Sequence, residues 1–200
     1  YKDQFGKLRN EPHFIFAGHG FNHCDAPIHM KHDGKTIQDL PNEGLDIFIN
    51  QANLVDLSEF DLPFKVTKDM IESRIDINNK KELIILRSDL TNKVGYESKE
   101  WHLKAPSIEL DAAKWIADNG FKSVCLDFPQ DYIAREMPDR VVYNEEFEIH
   151  HTIFDSGCTF IEDLMDLGKI SNSTTQICAI PLKMDCFDGA PMRTIAIDWN

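Results

Sequence analysis

Two short apolar runs, Leu83-Ile-Ile-Leu and Val124-Cys-Leu, bracket an amphipathic stretch over residues 108–119. A strand that is apolar without alternation is one covered on both faces, the usual condition of a parallel sheet. The stretch between them reads as a helix. Ser107 is placed to cap it, Glu109 and Asp111 suit its positive end, and Gly120 follows its last turn. Ile108, Ala112, Trp115 and Ile116 then share one face, which is a core stripe rather than a cofactor box. Strand, helix and strand in this order predict a right-handed parallel crossover, and with it an α/β fold.

The remaining elements are compatible with that layer. Residues 12–17 read as a short strand, and 45–57 as one strand or two with a break. Residues 68–74 read as a short helix capped by Thr67. A second helix is predicted over 144–155, with Glu145 and Glu146 in its first turn, followed by a strand at 159–162. Residues 176–182 and 193–199 read as two closing strands. No repeat or flexible linker interrupts the chain, so residues 1–200 are read as a single mixed α/β domain.

Composition narrows the function. Asp and Glu number 34 against 21 Lys and Arg, a net charge of −13, which argues against nucleic acid or an anionic membrane as partner. There is no apolar run long enough to span a membrane. Five cysteines without C-x-x-C spacing predict free thiols and a cytoplasmic, reducing location. Cys125 and Cys178 lie in apolar runs and are expected to be buried. The chain begins at Tyr1 rather than at a methionine and reads as part of a longer product.

Chemistry concentrates between residues 19 and 29, His-Gly-Phe-Asn-His-Cys-Asp-Ala-Pro-Ile-His, with His13 and His32 just outside. Imidazole and carboxylate are ligand types of zinc, manganese and iron sites. His19, His23, Asp25 and His29 share one parity, so extended chain would send them to one side. A straight strand would still hold His19 and His23 roughly 13 Å apart, at about 3.3 Å per residue. The chain must therefore turn through Gly20-Phe21-Asn22, where Gly and Asn tolerate the backbone angles required. Cys24, of opposite parity, should point away and pack. Read alone, the segment leaves open a histidine-rich surface loop or an adventitious metal chelator.

A second cluster, Glu148-Ile-His-His-Thr-Ile-Phe-Asp-Ser-Gly-Cys-Thr-Phe-Ile-Glu-Asp-Leu, brings His150, His151 and Glu162. Neighbours on a helix are about 100° apart, so His150 and His151 cannot both face one ion.

These segments resemble the signatures of the cyclase-like metal-dependent hydrolases, the family of bacterial kynurenine formamidase and isatin hydrolase. The first is similar to H-x-G-T-H-x-D-x-P-x-H through His19, His23, Asp25, Pro27 and His29, with Phe21-Asn22 in place of Gly-Thr. The second matches at Gly157, Ile161, Glu162 and Leu164, which selects His150 over His151. Asp33-Gly-Lys-Thr-Ile, Pro181-Leu-Lys-Met and Asp188-Gly-Ala-Pro-Met-Arg are similar to further family stretches, so the likeness runs from about His13 to Ile197. Arg87-Ser-Asp-Leu and Asp127-Phe-Pro-Gln depart from the family's Arg-Thr-Gly-Trp and Asp-Thr-Pro-Ser.

The resemblance implies a mixed, strongly twisted sheet partly closed as a barrel, of the swivelling β/β/α type, with a further strand before Tyr1. It implies one or two divalent ions, zinc first and manganese second. His19, His23 and Asp25 would hold one ion, and Asp25, His150 and Glu162 the other, with Asp25 bridging. His29 is left uncoordinated as general acid/base, with Glu162 assisting. Hydrolysis of a small amide or cyclic amide follows, arylformamidase-like, in a homodimer or higher homo-oligomer. The alternatives are a lyase or dehydratase acting on a small acid, and a metal-binding relative without turnover.

Overall fold

The computed structural model describes residues 4–6, 15–40, 44–184 and 188–199. In chain order its elements are β1 (His23–Asp25), α1 (Leu45–Phe48), β2 (Ile49–Asp56), β3 (Lys65–Val66), α2 (Lys68–Glu72), β4 (Leu83–Arg87), α3 (Leu90–Val94), α4 (Trp101–Lys104), β5 (Ser107–Ile108), α5 (Leu110–Asp118), β6 (Ser123–Leu126), α6 (Glu148–Asp155), β7 (Thr159–Glu162), β8 (Thr174–Pro181) and β9 (Gly189–Ile197).

Seven strands close into a barrel in the order β1-β7-β6-β4-β2-β8-β9, with β1 pairing β9 to seal it. Strands β2, β4, β6 and β7 run parallel, and the neighbours on β1, β8 and β9 pair antiparallel, so the sheet is mixed. The expected partial closure is here complete. Strands β3 and β5 form a separate two-stranded parallel pair.

Alternation along the strands builds two cores. Ile84, Leu86, Val124, Leu126 and Phe160 face the layer holding α5 and α6, where Ala112, Ile116, Ile153 and Phe154 meet them. Leu83, Ile85, Cys125 and Ile161 face the opposite way and join Ala52, Ile177, Ala179 and Ala190. Each fully buried large aliphatic side chain here contributes about 1.5–3 kcal/mol. The parallel pairing of β4 with β6, with α5 between them in the chain, is as expected, and both strands are buried on both faces.

Five local expectations change. Ser107 does not cap α5: Ser107 and Ile108 form β5, whose amides donate to Phe64 and Gln130 carbonyls, and the helix starts one residue after Glu109. Long-range pairing overrides the local capping signal. Residues 45–48 are a short helix before β2, entered through Gly44 at φ +80°. The helix of 144–155 is a 3₁₀ turn at Asn144–Glu146, then α6 from Glu148. Cys178 is half-buried, whereas Cys125 is fully buried. The strand expected at 12–17 lies outside the described residues at 12–14, and 15–17 carry no strand. Thr67 caps α2 as expected, its Oγ1 accepting from the Met70 amide.

Candidate metal and catalytic centre

The site forms where β1 meets β7. Cys24 points into the barrel and is fully buried, its thiol against the Ala190 carbonyl. Its neighbours His23 and Asp25 therefore face outward, under α6, and both are buried. His23 stands directly opposite Glu162 in the β1–β7 ladder. His150 reaches the same place from α6, its ring against Phe160 and Phe154.

The turn before β1 differs from expectation in one respect. The left-handed residue is Phe21, at φ +60°, and not Gly20 or Asn22. The family signature has Gly where Phe21 stands, which fits a position that asks for positive φ. Neither replaced residue lines the cleft. Phe21 is 70% exposed, and the Asn22 side chain clamps strands: Nδ2 donates to the Glu162 carbonyl, while Oδ1 accepts from the Thr194 amide and hydroxyl.

Asp25 is the hub. His19 Nδ1 lies 2.7 Å from its Oδ1, His23 Nε2 3.3 Å from the same oxygen, and His150 Nε2 3.4 Å from Oδ2. Glu162 sits beside them, Oε2 3.8 Å from His23 Nε2 and Oε1 3.7 Å from His150 Nε2. His29 lies within the same cluster, its ring stacked on His19 at 3.9 Å and 30°. The structure thus brings together all six residues singled out from the sequence.

Outer partners fix which nitrogen each ring presents, as is usual around metal sites. His23 Nδ1 donates to the Phe21 carbonyl at 2.7 Å, leaving Nε2 inward. His150 Nδ1 donates to Asp131 at 2.6 Å, again leaving Nε2 inward. Asp131 in turn accepts the amides of Ile149 and His150, which pins it to the first turn of α6. Gln130 donates to Glu162 Oε1 at 2.6 Å and holds that carboxylate in place. Spacing alone gave no signal for Asp131, Gln130 or Asp188, although Gln130 and Asp188 sit inside stretches compared with the family. His151 is turned away, with Nε2 facing the Asn144 carbonyl.

Electrostatics show a set of groups competing for protons. Burial disfavours charge on His23 and His150, but hydrogen bonds to Asp25 and Asp131 and nearby carboxylates push them up to about 9 and about 10. Burial also opposes ionisation of Asp25, yet its three imidazoles hold it well below the usual carboxylate range. Glu162 moves the other way, raised by burial and by the charge of Asp25. His29 is lowered, chiefly by burial, with Asp25 only partly offsetting it.

These groups fit a divalent ion. Three ring nitrogens, His19 Nδ1 and the Nε2 atoms of His23 and His150, face the buried Asp25 carboxylate. The ligand-type atoms of His19, His23 and Asp25 all lie within 4.8 Å of one another, as do those of Asp25, His29 and His150. Two carboxylates packed this closely among imidazoles otherwise require trapped protons.

Beyond the cluster opens a cleft of about 750 Å³, floored by the site and walled by Tyr96, Trp101, His102, Met137 and Phe147. That size suits a small molecule, and its aromatic wall suits a flat one. Among the described residues no helix is long and apolar enough to cross a membrane.

The chain is similar to several known proteins. Kynurenine formamidase of Bacillus cereus is 24% identical over 194 residues, 97% of this chain and 82% of its own. Kynurenine formamidase of Geobacillus thermodenitrificans is 26% identical over 186 residues, 92% of this chain and 78% of its own. An isatin hydrolase bound to the product analogue thioisatinate shares the fold with a TM-score of 0.73 at 20% identity, over 91% of this chain and 72% of that one. A potential metal-dependent hydrolase with cyclase activity gives 0.69 at 24% identity, over 91% and 80%. Residues 3–130, which carry the first motif, match the family described as putative cyclase. That stretch is more than half of the chain, and the protein belongs to the putative cyclase family.

Proposed function

We propose that this protein is a metal-dependent hydrolase that cleaves the C–N bond of a small amide or cyclic amide, as an arylformamidase does. The observation that carries the reading is the convergence of His19, His23 and His150 on Asp25, at the floor of a cleft with an aromatic wall. The names of its relatives, kynurenine formamidase and isatin hydrolase, supply the substrate class. Zinc is the first choice of ion and manganese the second. His19, His23 and Asp25 would hold one ion, and Asp25, His150 and Glu162 a second.

When bound, such an ion lowers the pKa of a water and polarises the carbonyl under attack. The chain's residues supply the rest. His29 lines the cleft and is held toward its neutral form, so it accepts a proton from the attacking water. A C–O bond forms and the C–N bond breaks, and His29 returns that proton to the leaving nitrogen. Glu162, on the cleft floor beside His150, assists the transfer. The aromatic wall excludes water and orients a flat substrate.

The test is an assay of N-formylkynurenine, isatin and related cyclic amides with protein loaded with zinc or manganese. Turnover of at least one amide that is abolished by chelation and restored by metal is expected. Binding without turnover across the panel would favour the non-catalytic alternative.

A further inference from the structure

Asp188 is a carboxylate beside the site that the proposed mechanism does not use. Its position is fixed by the barrel closure: its carbonyl accepts the Ala26 amide at 2.7 Å, and the next residue, Gly189, pairs with Asp25 across β1 and β9. The His19 ring packs into the space left by Gly189. A Cβ there would lie 2.5 Å from His19 Cε1 and 2.8 Å from Nε2. Asp188 Oδ2 is thereby set 3.0 Å from His19 Nε2 and 3.5 Å from His29 Nδ1.

A cation shared by these three groups is one way to read the arrangement, but the rings argue against it. His19 and His29 are stacked, 3.9 Å apart and 30° from parallel. Their in-plane lone pairs then run side by side and do not converge on a point about 2 Å from both nitrogens, as one ion requires. A carboxylate lying across the edges of two stacked rings can accept a proton-bearing nitrogen from each. His19 needs such an acceptor once an ion is held: with Nδ1, which faces Asp25, given to the ion, the ring's hydrogen sits on the buried Nε2, for which Asp188 is the nearby carboxylate.

We propose that Asp188 is a positioning residue whose carboxylate takes the N–H groups of His19 Nε2 and His29 Nδ1. It thereby leaves His29 Nε2 bare as the atom that moves the proton. The proposal rests on the reading of His29 as the acid/base. It assigns Asp188 two effects through one contact: orienting a ring that faces the metal and fixing the tautomer of the proton shuttle.

The test uses the metal-loaded protein and its Asp188→Ala and Asp188→Asn variants. Long-range ¹H–¹⁵N spectra of the histidines report the tautomer directly, independent of activity. Wild type should show His29 protonated at Nδ1. Asp188→Ala should move that proton to Nε2, lower kcat about 10- to 100-fold with little change in KM, and weaken metal binding in chelator competition. Asp188→Asn, isosteric and retaining an acceptor oxygen, should be milder in all three, and it stands in should the alanine variant fail to fold. An unchanged His29 tautomer, or kcat falling only in proportion to lost metal, would overturn the proposal. If the tautomer shifts as expected while His29→Ala keeps full turnover, the positioning holds and the role given to His29 fails.

Discussion

His23 and Glu162 stand directly opposite one another on antiparallel β1 and β7, so one register position joins halves of the site that lie far apart in sequence. The Asn22 side chain, one residue before, locks that register by donating to the Glu162 carbonyl and accepting from Thr194 on β9. Asn22→Ala removes these bonds from a clamp spanning three strands. A loss of about 1–3 kcal/mol in chemical denaturation is expected, together with weaker metal binding. An unchanged denaturation midpoint would mean that the ladder holds the register without Asn22.

Phe21 occupies a left-handed backbone position at φ +60° with its ring largely exposed. A non-glycine residue there costs roughly 1–2 kcal/mol, against roughly 0.5–1 kcal/mol of extra chain entropy lost by glycine. Phe21→Gly should therefore raise stability by about 0.5 kcal/mol and leave amide preference as it was, because Phe21 does not line the cleft. A drop in Tm, or a changed substrate order, would show that the ring has a role elsewhere.

Gly189→Ala should displace the His19 ring, since the added methyl would sit 2.5 Å from Cε1 with the backbone of Cys24 close behind. Metal affinity should fall about 10- to 100-fold, the range seen when a ligand's support is lost. Chelator competition reads it, and native-like affinity would contradict the cradle.

His23 and His150 lie near 9 and 10, and Glu162 is raised while Asp25 is lowered. Imidazoles raised in the fold stabilise it below their unfolded value, about 6.5, and that contribution goes as pH climbs through the folded values. The raised Glu162 acts in the same direction, and the lowered Asp25 costs stability only as pH falls below about 4. Glu162, raised to about 8, starts to lose its contribution above about pH 4.3, so metal-free protein should be most stable at about pH 4 to 5 and weaken progressively toward 9. Metal competes with these protons, so its apparent affinity should rise over the same interval. Thermal melts of chelated protein across pH check the first part and metal titrations the second. A metal-free Tm that climbs from pH 6.5 to 9 would contradict the protonated cluster.

The six site residues were legible because they lie in two short segments that resemble the family's signatures; spacing alone left a histidine-rich surface loop open. His19 through His29 occupy a turn, strand β1 and the 3₁₀ turn after it, and His150 and Glu162 a helix and the strand after it. The crossover β4-α5-β6 was legible without the resemblance: covered strands and an amphipathic helix mark themselves. Asp131, Gln130 and Asp188 have no such signature, since their roles depend on which loop the closed barrel lays against which ring. Ser107 misled because its local capping chemistry is sound, and only its pairing with Phe64 and β3 shows why it is used otherwise.

His29→Ala separates the two kinds of site residue. It should retain its metal and lose about 10² to 10⁴ in rate, the usual cost of removing a placed acid/base. Metal analysis and turnover on the same preparation decide it. Lost metal with full activity on re-addition would reverse the assignment.

Asp25 is the residue on which the centre depends, since three imidazoles face its two oxygens. The most direct measurement is metal content per chain and amide turnover of Asp25→Ala beside wild type, each before and after chelation and metal re-addition. Wild type should hold one or two divalent ions and lose and regain turnover with them, while Asp25→Ala should show neither ion nor activity. Full metal occupancy in Asp25→Ala, or amide turnover in wild type that survives complete removal of metal, would contradict the assignment.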